Sequence, residues 1–408
     1  MHDMTQFRPK TAHNDHFPDM ISVRELTEYS DFTGLYSAWS RLLSNRCRHS
    51  VFLVHEWFDA CWQWAQQNSQ LWMLCFYDQD HLIGVAPMCK RTQTIAGIQI
   101  RYVSLLEVPD SQECDVIIGN DNSQPVMSAM VDYLAHSRAW DIAVFSKLQE
   151  DSILHGCARN ACIGSTIKFK ESQVGENLEV DLTETWESYY STRSRRLKKS
   201  NNHVRNKICT DGKSVELLWS MDQDSPSVLE DKLLKATNDV SAKSWKSNTG
   251  LTLDNPGPRA FLDRLSSHAR KNNWLSIWGL QIDNNVVATE YQLIFGDTVL
   301  ALRADYDPSF AHLSPGSYLN WKILESMVGG NHRVYRMGPG ANPYKLKWSN
   351  AVTELYEIRM FNDTIRGRYL WLIECVLKPT GTNLLEMARW SWQIIRRSNL
   401  NQELNRKK

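Results

Sequence analysis

Residues 298–348 read TVLALRADYDPSFAHLSPGSYLNWKILESMVGGNHRVYRMGPGANPYKLKW, and this stretch decides the fold. TVLALRADY alternates apolar positions with Arg303 and Asp305, which predicts a strand. The loop after it ends in Ser314-Pro315-Gly316-Ser317, and proline is favoured at the first turn of a helix, where its missing N–H costs nothing. Tyr318, Leu319, Ile323, Leu324 and Met327 then recur at helical spacing until Gly329-Gly330 ends the helix. Arg333 to Met337 returns as a strand, and a Gly-rich turn follows with Tyr344-Lys345. A glycine and a serine at a helix start leave backbone N–H groups free at the positive end of the dipole, a natural seat for an anionic group. Ser-Pro-Gly is equally the start of many helices that bind nothing.

Working outward, residues 258–269 predict a helix with Phe261, Leu262 and Leu265 inward. WLSIWGLQI, the turn at Asp283, VVATEYQLIF and the turn Gly296-Asp297 then lead into TVLALRADY as an antiparallel meander. The first half has the same order. A helix with Trp57, Cys61, Trp62 and Ala65 on one face precedes the three strands LWMLCFY, LIGVAPMCKR and IQIRYVSLL. A helix over 124–136 and the strand WDIAVF follow. Helix, three strands, helix, strand thus occurs twice, about 190 to 210 residues apart. The expected fold is α/β (α+β), two similar domains, each a mostly antiparallel mixed sheet flanked by helices, at 21–175 and 176–362. Residues 1–20 are expected to be a flexible leader and 363–408 a basic helical tail.

At 408 residues two domains are the natural expectation, and the formal net charge of zero gives no global field toward nucleic acid or a membrane. The nine cysteines stand singly with no C-x-x-C, and no zinc-type histidine spacing appears, so no metal is expected. With no signal-peptide pattern at the start, the thiols are expected to be reduced and the protein cytoplasmic.

Between the halves, STRSRRLKKSNNHVRNK carries seven basic residues and no acid. It is either a solvated helix face or the positive wall of a cleft for a phosphate-bearing ligand; without interleaved aromatics, nucleic acid is not expected. SAKSWKSNTG, with Trp245 and Lys246, is a polar loop of the kind that carries binding residues. The tail mixes Arg366, Arg368, Lys378, Arg389, Arg396 and Arg397 with Trp390, Trp392, Ile394 and Ile395. Such a helix docks on anionic lipid, on a partner, or on its own protein.

Taken together, VFLVHEWFDACW, WESYYSTRSRRLKKSNNHVR, SWK at 244–246, YDPSFAHLSPGSYL and GPGANPYKLKW resemble the CelD-like acetyltransferases, a GNAT-type group related to the FemAB peptidyltransferases. The resemblance covers about residues 20–360. It implies tandem GNAT domains and transfer of an acyl group from acetyl-CoA or another acyl-CoA to an amine or hydroxyl of a small-molecule or saccharide acceptor, in envelope or exopolysaccharide synthesis. It also implies that the CoA pyrophosphate sits at Ser314, Gly316, Ser317 and Tyr318. The sequence departs from the pattern at Arg336 and Asn342, where the group has acids.

Acyl transfer needs a base for the acceptor and a donor for the developing oxyanion. Glu290, mid-strand in VVATEYQLIF, is the first choice of base, or else a structural partner of Arg303. Asp305 is the second choice, or else it orders the loop after it. Tyr344 supplies a proton or, with Lys345, binds the acceptor; Lys345 equally suits a pair with a surface acid. Trp245, Lys246 and Arg303 are the remaining acceptor-side residues. FemAB-like aminoacyl transfer and a non-catalytic scaffold role in a polysaccharide system are the alternative functions.

Overall fold

The computed structural model describes residues 21–44, 49–95, 97–119, 122–210, 214–221, 226–244, 246 and 249–377. The leader 1–20, Trp245 and the tail beyond residue 377 lie outside the described residues. The first half runs β1 (Ser22–Leu26), α1 (Tyr29–Gly34), α2 (Tyr36–Ser44), α3 (His55–Ala65), β2 (Gln70–Leu71), β3 (Met73–Asp78), β4 (His81–Ala86), β5 (Met88–Ile95), β6 (Ile98–Leu105), β7 (Ile117–Ile118), α4 (Ser123–His136), β8 (Ile142–Leu148) and α5 (Ile153–Ala161). The second continues with β9 (Lys168–Asp181), α6 (Trp186–Ser191), α7 (Arg195–Thr210), β10 (Val215–Trp219), α8 (Pro226–Lys243), α9 (Pro256–Lys271), β11 (Leu275–Ile282), β12 (Asn285–Phe295), β13 (Thr298–Tyr306), α10 (Pro315–Met327), β14 (Val334–Pro339), β15 (Ala351–Phe361) and α11 (Ile365–Leu372). The repeated order expected from sequence is present as α3, β3–β6, α4, β8 and as α9, β11–β13, α10, β14.

The strands form a small sheet, β1-β3-β4-β7, and one large sheet in the order β10-β11-β12-β13-β14-β9-β15-β8-β6-β5-β2. The large sheet runs unbroken through both halves. β9 makes this possible: it pairs with β15 over residues 168–179 and with β14 at 177, 179, 180 and 181. The 175/176 boundary therefore falls inside a continuous strand. β15 in turn pairs with β8 of the first half.

One expected strand is two. LIGVAPMCKR leaves the small sheet at Ala86 and joins the large one at Met88. Pro87 has no N–H to give a ladder, so the run breaks there, and its carbonyl instead accepts the Leu106 N–H at 2.7 Å. The hairpin turns in the second half follow local chemistry. Asp283, Asn284 and Gly296 take φ of 48°, 66° and 61°, the left-handed values that these residue types tolerate best. β11 is buried along its whole length, as a strand covered on both faces should be.

The described part of the tail packs on its own protein. Leu370 of α11 is buried with Ile142, Val144 and Phe361, and Thr364 caps the helix by accepting the Gly367 N–H at 3.0 Å.

The halves also meet where α3 lies on α9. Phe261 stands edge-on to Trp57 with ring centroids 5.5 Å apart. Beside them Asp59, 2% exposed, accepts from Tyr29 Oη (2.5 Å), Arg264 Nε (2.5 Å) and His268 Nε2 (2.6 Å). Burial alone would raise this carboxyl, but the hydrogen bonds from His268, Tyr29 and Arg264 outweigh it and bring its pKa from 3.8 to about 2. A carboxylate depressed in the folded state contributes stability that is complete above its unfolded value and is lost as pH falls toward the folded one. We expect Asp59→Asn to lower unfolding free energy by about 2 kcal/mol at pH 7 and to differ little from wild type at pH 2. Urea titrations at the two pH values check this.

Candidate active site

β13 and β14 run parallel and pair at only three positions, Thr298–Val334, Val299–Tyr335 and Leu300–Arg336. Beyond these β13 continues to Tyr306, while β14 leaves its register with β9 between Arg336 and Pro339. Gly338 allows that irregularity with φ 78°. The two strands diverge, and a cavity of about 580 Å³ opens in the angle.

The start of α10 forms one wall. Ser314 stands at the helix N-cap with φ 54° and ψ 49°, and its side chain makes no capping bond. Pro315 has no N–H, and the Tyr318 N–H makes the first helical bond, to Ser314 O at 3.2 Å. The N–H groups of Gly316 and Ser317 therefore precede the ladder, and both residues line the cavity. Gly316 lies against the Tyr306 ring, where a Cβ would stand 3.4 Å from Cδ1.

Glu290 of β12 faces the cavity and is 3% exposed. It accepts from the Tyr335 hydroxyl and from Gln292 Nε2 at 2.7 Å. Gln292 is oriented in turn, because its oxygen takes the Ser276 hydroxyl at 3.1 Å, which turns its amide nitrogen to Glu290. Burial raises the Glu290 carboxyl above its ordinary range, against the hydrogen bonds of Tyr335 and Gln292 and the charge of Lys345. The pair with Arg303 considered from sequence does not form, since Glu290 stands opposite Ala304 and Tyr291 opposite Arg303.

Tyr344 lines the same cavity. The residue is 46% exposed, yet burial around its hydroxyl, and then Glu290, push the pKa to about 12. Lys345 is buried, with Nζ donating to Gly338 O and Pro339 O, each at 3.0 Å, so it braces the Gly-rich turn. Burial takes its pKa down to about 8, opposed by Glu290 and aided by Lys246. Asp305 and Lys246 line the cavity as an ion pair, Nζ to Oδ1 at 2.9 Å, and Lys246 also reaches Ala304 O at 3.2 Å.

Glu290, Asp305, Tyr344, Gly316, Ser317, Lys246 and Lys345 thus converge on one space. Ser314 and Tyr318 are not among its lining residues; Tyr318 turns its ring into the core against Trp321. Arg303 is also elsewhere. Its guanidinium is 7% exposed and held by Asp110 Oδ2 (3.1 and 2.6 Å) and Leu251 O (2.9 Å), so the fold already occupies its donors. The charge reversal at Arg336 is compensated by Glu113 (3.0 Å) and Glu179 (2.9 Å), while Asn342 lines the cavity.

Four residues of the site escaped the sequence reading. Tyr335 and Gln292 orient Glu290. Thr289 and Asn320 line the cavity with buried Oγ1 and Oδ1 atoms that have no hydrogen-bond partner among the described residues. The signal for Asn320 was present, an amide in the inward run Tyr318-Leu319-Asn320-Trp321. Among the described residues no group of three or more His, Cys, Asp or Glu side chains is placed to hold a metal ion.

Residues 193–346 match the family described as an acetyltransferase (GNAT) domain, a span that contains every residue lining the cavity. This domain supports an acyltransferase, with the GNAT match itself confined to residues 193–346. Among solved structures it is similar in fold to FemX, with TM-score 0.52 and 8% identity over 86% of this chain and 99% of that one. A conserved protein of unknown function from Bacteroides thetaiotaomicron has TM-score 0.48 and 13% identity over 84% of this chain and 100% of its own. A tandem GNAT protein from the clavulanic acid biosynthesis pathway has TM-score 0.44 and 8% identity over 83% and 98%. No curated protein matches the chain. No described helix is long and apolar enough to cross a membrane.

The Asp305–Lys246 pair yields a test of the site's electrostatics. Lys246→Met should leave a buried carboxylate unpaired and lower stability at pH 7 by about 1–3 kcal/mol. Adding Asp305→Asn should recover part of that loss, so a double-mutant cycle of unfolding free energies measures the coupling.

Proposed function

We propose that the cavity takes the thioester arm of an acyl-CoA, with acetyl-CoA the first donor to test. In this reading the acyl group passes to an amine or hydroxyl of a saccharide or other small acceptor used in envelope or exopolysaccharide synthesis. The observation that carries it is the convergence of two unladdered N–H groups, from Gly316 and Ser317, with a buried Glu290 across one cavity. The helix start suits a pyrophosphate, and the unpartnered Thr289 and Asn320 side chains suit the amide and carbonyl groups of a pantetheine arm.

The acyl-CoA supplies an activated acyl carbon; the chain supplies proton handling and positioning. Glu290, raised in pKa, takes the proton of the attacking amine or hydroxyl, while Tyr335 and Gln292 hold its carboxylate in place. The Tyr344 hydroxyl, with a pKa of about 12, stays protonated at neutral pH and donates toward the departing sulfur. Asp305 and Lys246 form the acceptor side. The support for the envelope setting is the resemblance to the CelD-like group.

A second reading has one observation in its favour. Arg195, Arg196, Lys199, Arg205 and Lys207 of α7 are exposed, and no ion pair engages them among the described residues. Such a face suits a polyanionic donor such as aminoacyl-tRNA. Supplying radiolabelled acetyl-CoA or charged tRNA to the same acceptor mixture separates the two.

Calorimetry with acetyl-CoA is expected to give saturable binding that Gly316→Trp abolishes, because the indole would stand where the arm passes Tyr306. Binding unchanged in that variant would remove the proposed donor site. Glu290→Gln is expected to lower kcat about 100-fold with donor affinity retained. Turnover of the wild type should fall as pH drops through the raised carboxyl pKa, above the ordinary carboxylate range, and this acid limb should be missing from the variant's residual rate.

A further inference from the structure

We propose that Gln112, from the first half, is a positioning residue that holds open the cleft of the second. The loop 106–116, between β6 and β7, buries an unusual set of polar side chains: Ser111, Gln112, Glu113 and Asp115 are all at most 3% exposed. Most polar groups buried this deeply have specific partners, and the Gln112 amide nitrogen has one although its oxygen has none among the described residues.

Gln112 lies where β13 and β14 part. The last paired residue of β13 is Leu300, and the next carbonyl, Ala301 O, accepts from Gln112 Nε2 at 2.8 Å. On the opposite strand, a Cβ added to Gly338 would stand 3.3 Å from the same nitrogen. The amide therefore sits between the diverging strands, bonded to one and filling the space into which a side chain at Gly338 of the other would project. Its own backbone is fixed by Asn177 of β9, whose Nδ2 donates to Gln112 O at 2.7 Å. The neighbours of Gln112 pin each strand separately: Asp110 holds Arg303 of β13 at 2.6 Å, and Glu113 holds Arg336 of β14 at 3.0 Å. A wedge with both flanks tied down is a device for keeping an angle.

The first half has the corresponding angle and closes it. β6 and β8 are parallel and pair at three positions, Tyr102–Ile142, Val103–Ala143 and Ser104–Val144. Beyond them the same loop fills the gap: the Cys114 N–H donates to Lys147 O at 3.0 Å, and Lys147 Nζ donates to Val108 O at 3.0 Å and pairs with Glu107 at 3.0 Å. One loop thus plugs the first angle and props the second. The consequence for donor binding rests on the acyl-CoA reading above; the geometry of the wedge does not.

Two variants and two readouts test this. Gln112→Ala removes the wedge, and Gln112→Met keeps its bulk without the hydrogen bond. In the ligand-free protein, hydrogen exchange at Met337 and Gly338 is expected to slow in Gln112→Ala as the strands close, with Gln112→Met close to wild type. Protection unchanged or lowered in Gln112→Ala would overturn the wedge. By calorimetry, Gln112→Ala is expected to bind acetyl-CoA at least about tenfold more weakly, with Gln112→Met between it and wild type. At saturating donor, kcat should be nearly retained, whereas loss of fold would lower both. Wild-type affinity in Gln112→Ala would overturn the positioning role. If the wild type itself fails to bind acetyl-CoA, the donor reading falls and the exchange result alone decides the wedge.

Discussion

A parallel strand pair that stops after three residues leaves backbone groups without ladder partners, and each buried group so left costs about 1–3 kcal/mol. Much of the second half is arranged around meeting that demand. Ala301 O is taken by Gln112, the carbonyls of Gly338 and Pro339 by Lys345, and the Gly340 N–H by Glu176 O at 2.9 Å. Two of the buried side-chain atoms left without a hydrogen-bond partner among the described residues, Thr289 Oγ1 and Asn320 Oδ1, belong to residues that line the cavity. The backbone groups freed where the strands part are thus paired, and two side chains with unpaired oxygens line the space a substrate would enter.

Several buried charges pair across the two halves in a chain with no net charge. Asp59 meets Arg264 and His268, Asp110 meets Arg303, and Glu113 meets Arg336. Each acid comes from the first half and each base from the second. Buried ion pairs of this kind contribute little net stability over apolar packing, but leaving one partner alone is costly, so they fix which surfaces meet and in what register. Arg336 gains a physical reason here. Its cation is what allows Glu113 to be carried into the interior.

The second half was legible because its signals are local. Turn residues at Asp283 and Gly296, Pro315 at the first turn of α10 and Gly329 after it each act on their own few residues. Glu290 stood out as a carboxylate in a run of apolar residues, and the structure places it on the cavity wall. What escaped was long-range. Arg303 reads as a cleft cation because nothing nearby in sequence shows Asp110, which lies 193 residues earlier. Gln112 is invisible for the same reason, its partner Ala301 being 189 residues away. The first part of β9, KFKESQVGEN, is too polar to show strand alternation; it is held by pairing with β15 instead.

The limits of the matched domain, 193–346, sharpen the point. They contain the whole cavity but exclude β9, which covers the outer edge of β14, and β15, which joins β9 to the first half. They also exclude Gln112, Glu113 and Asp110. Cut at those limits, the segment would expose the edge of β14 and leave Arg303 and Arg336 without their carboxylates, both unfavourable in a folded chain. The matched segment thus shares its sheet and its buried ion pairs with residues outside it. The first half has its own angle filled and its loop turned across the boundary, and its contribution to the site is structural support of the neighbouring cleft.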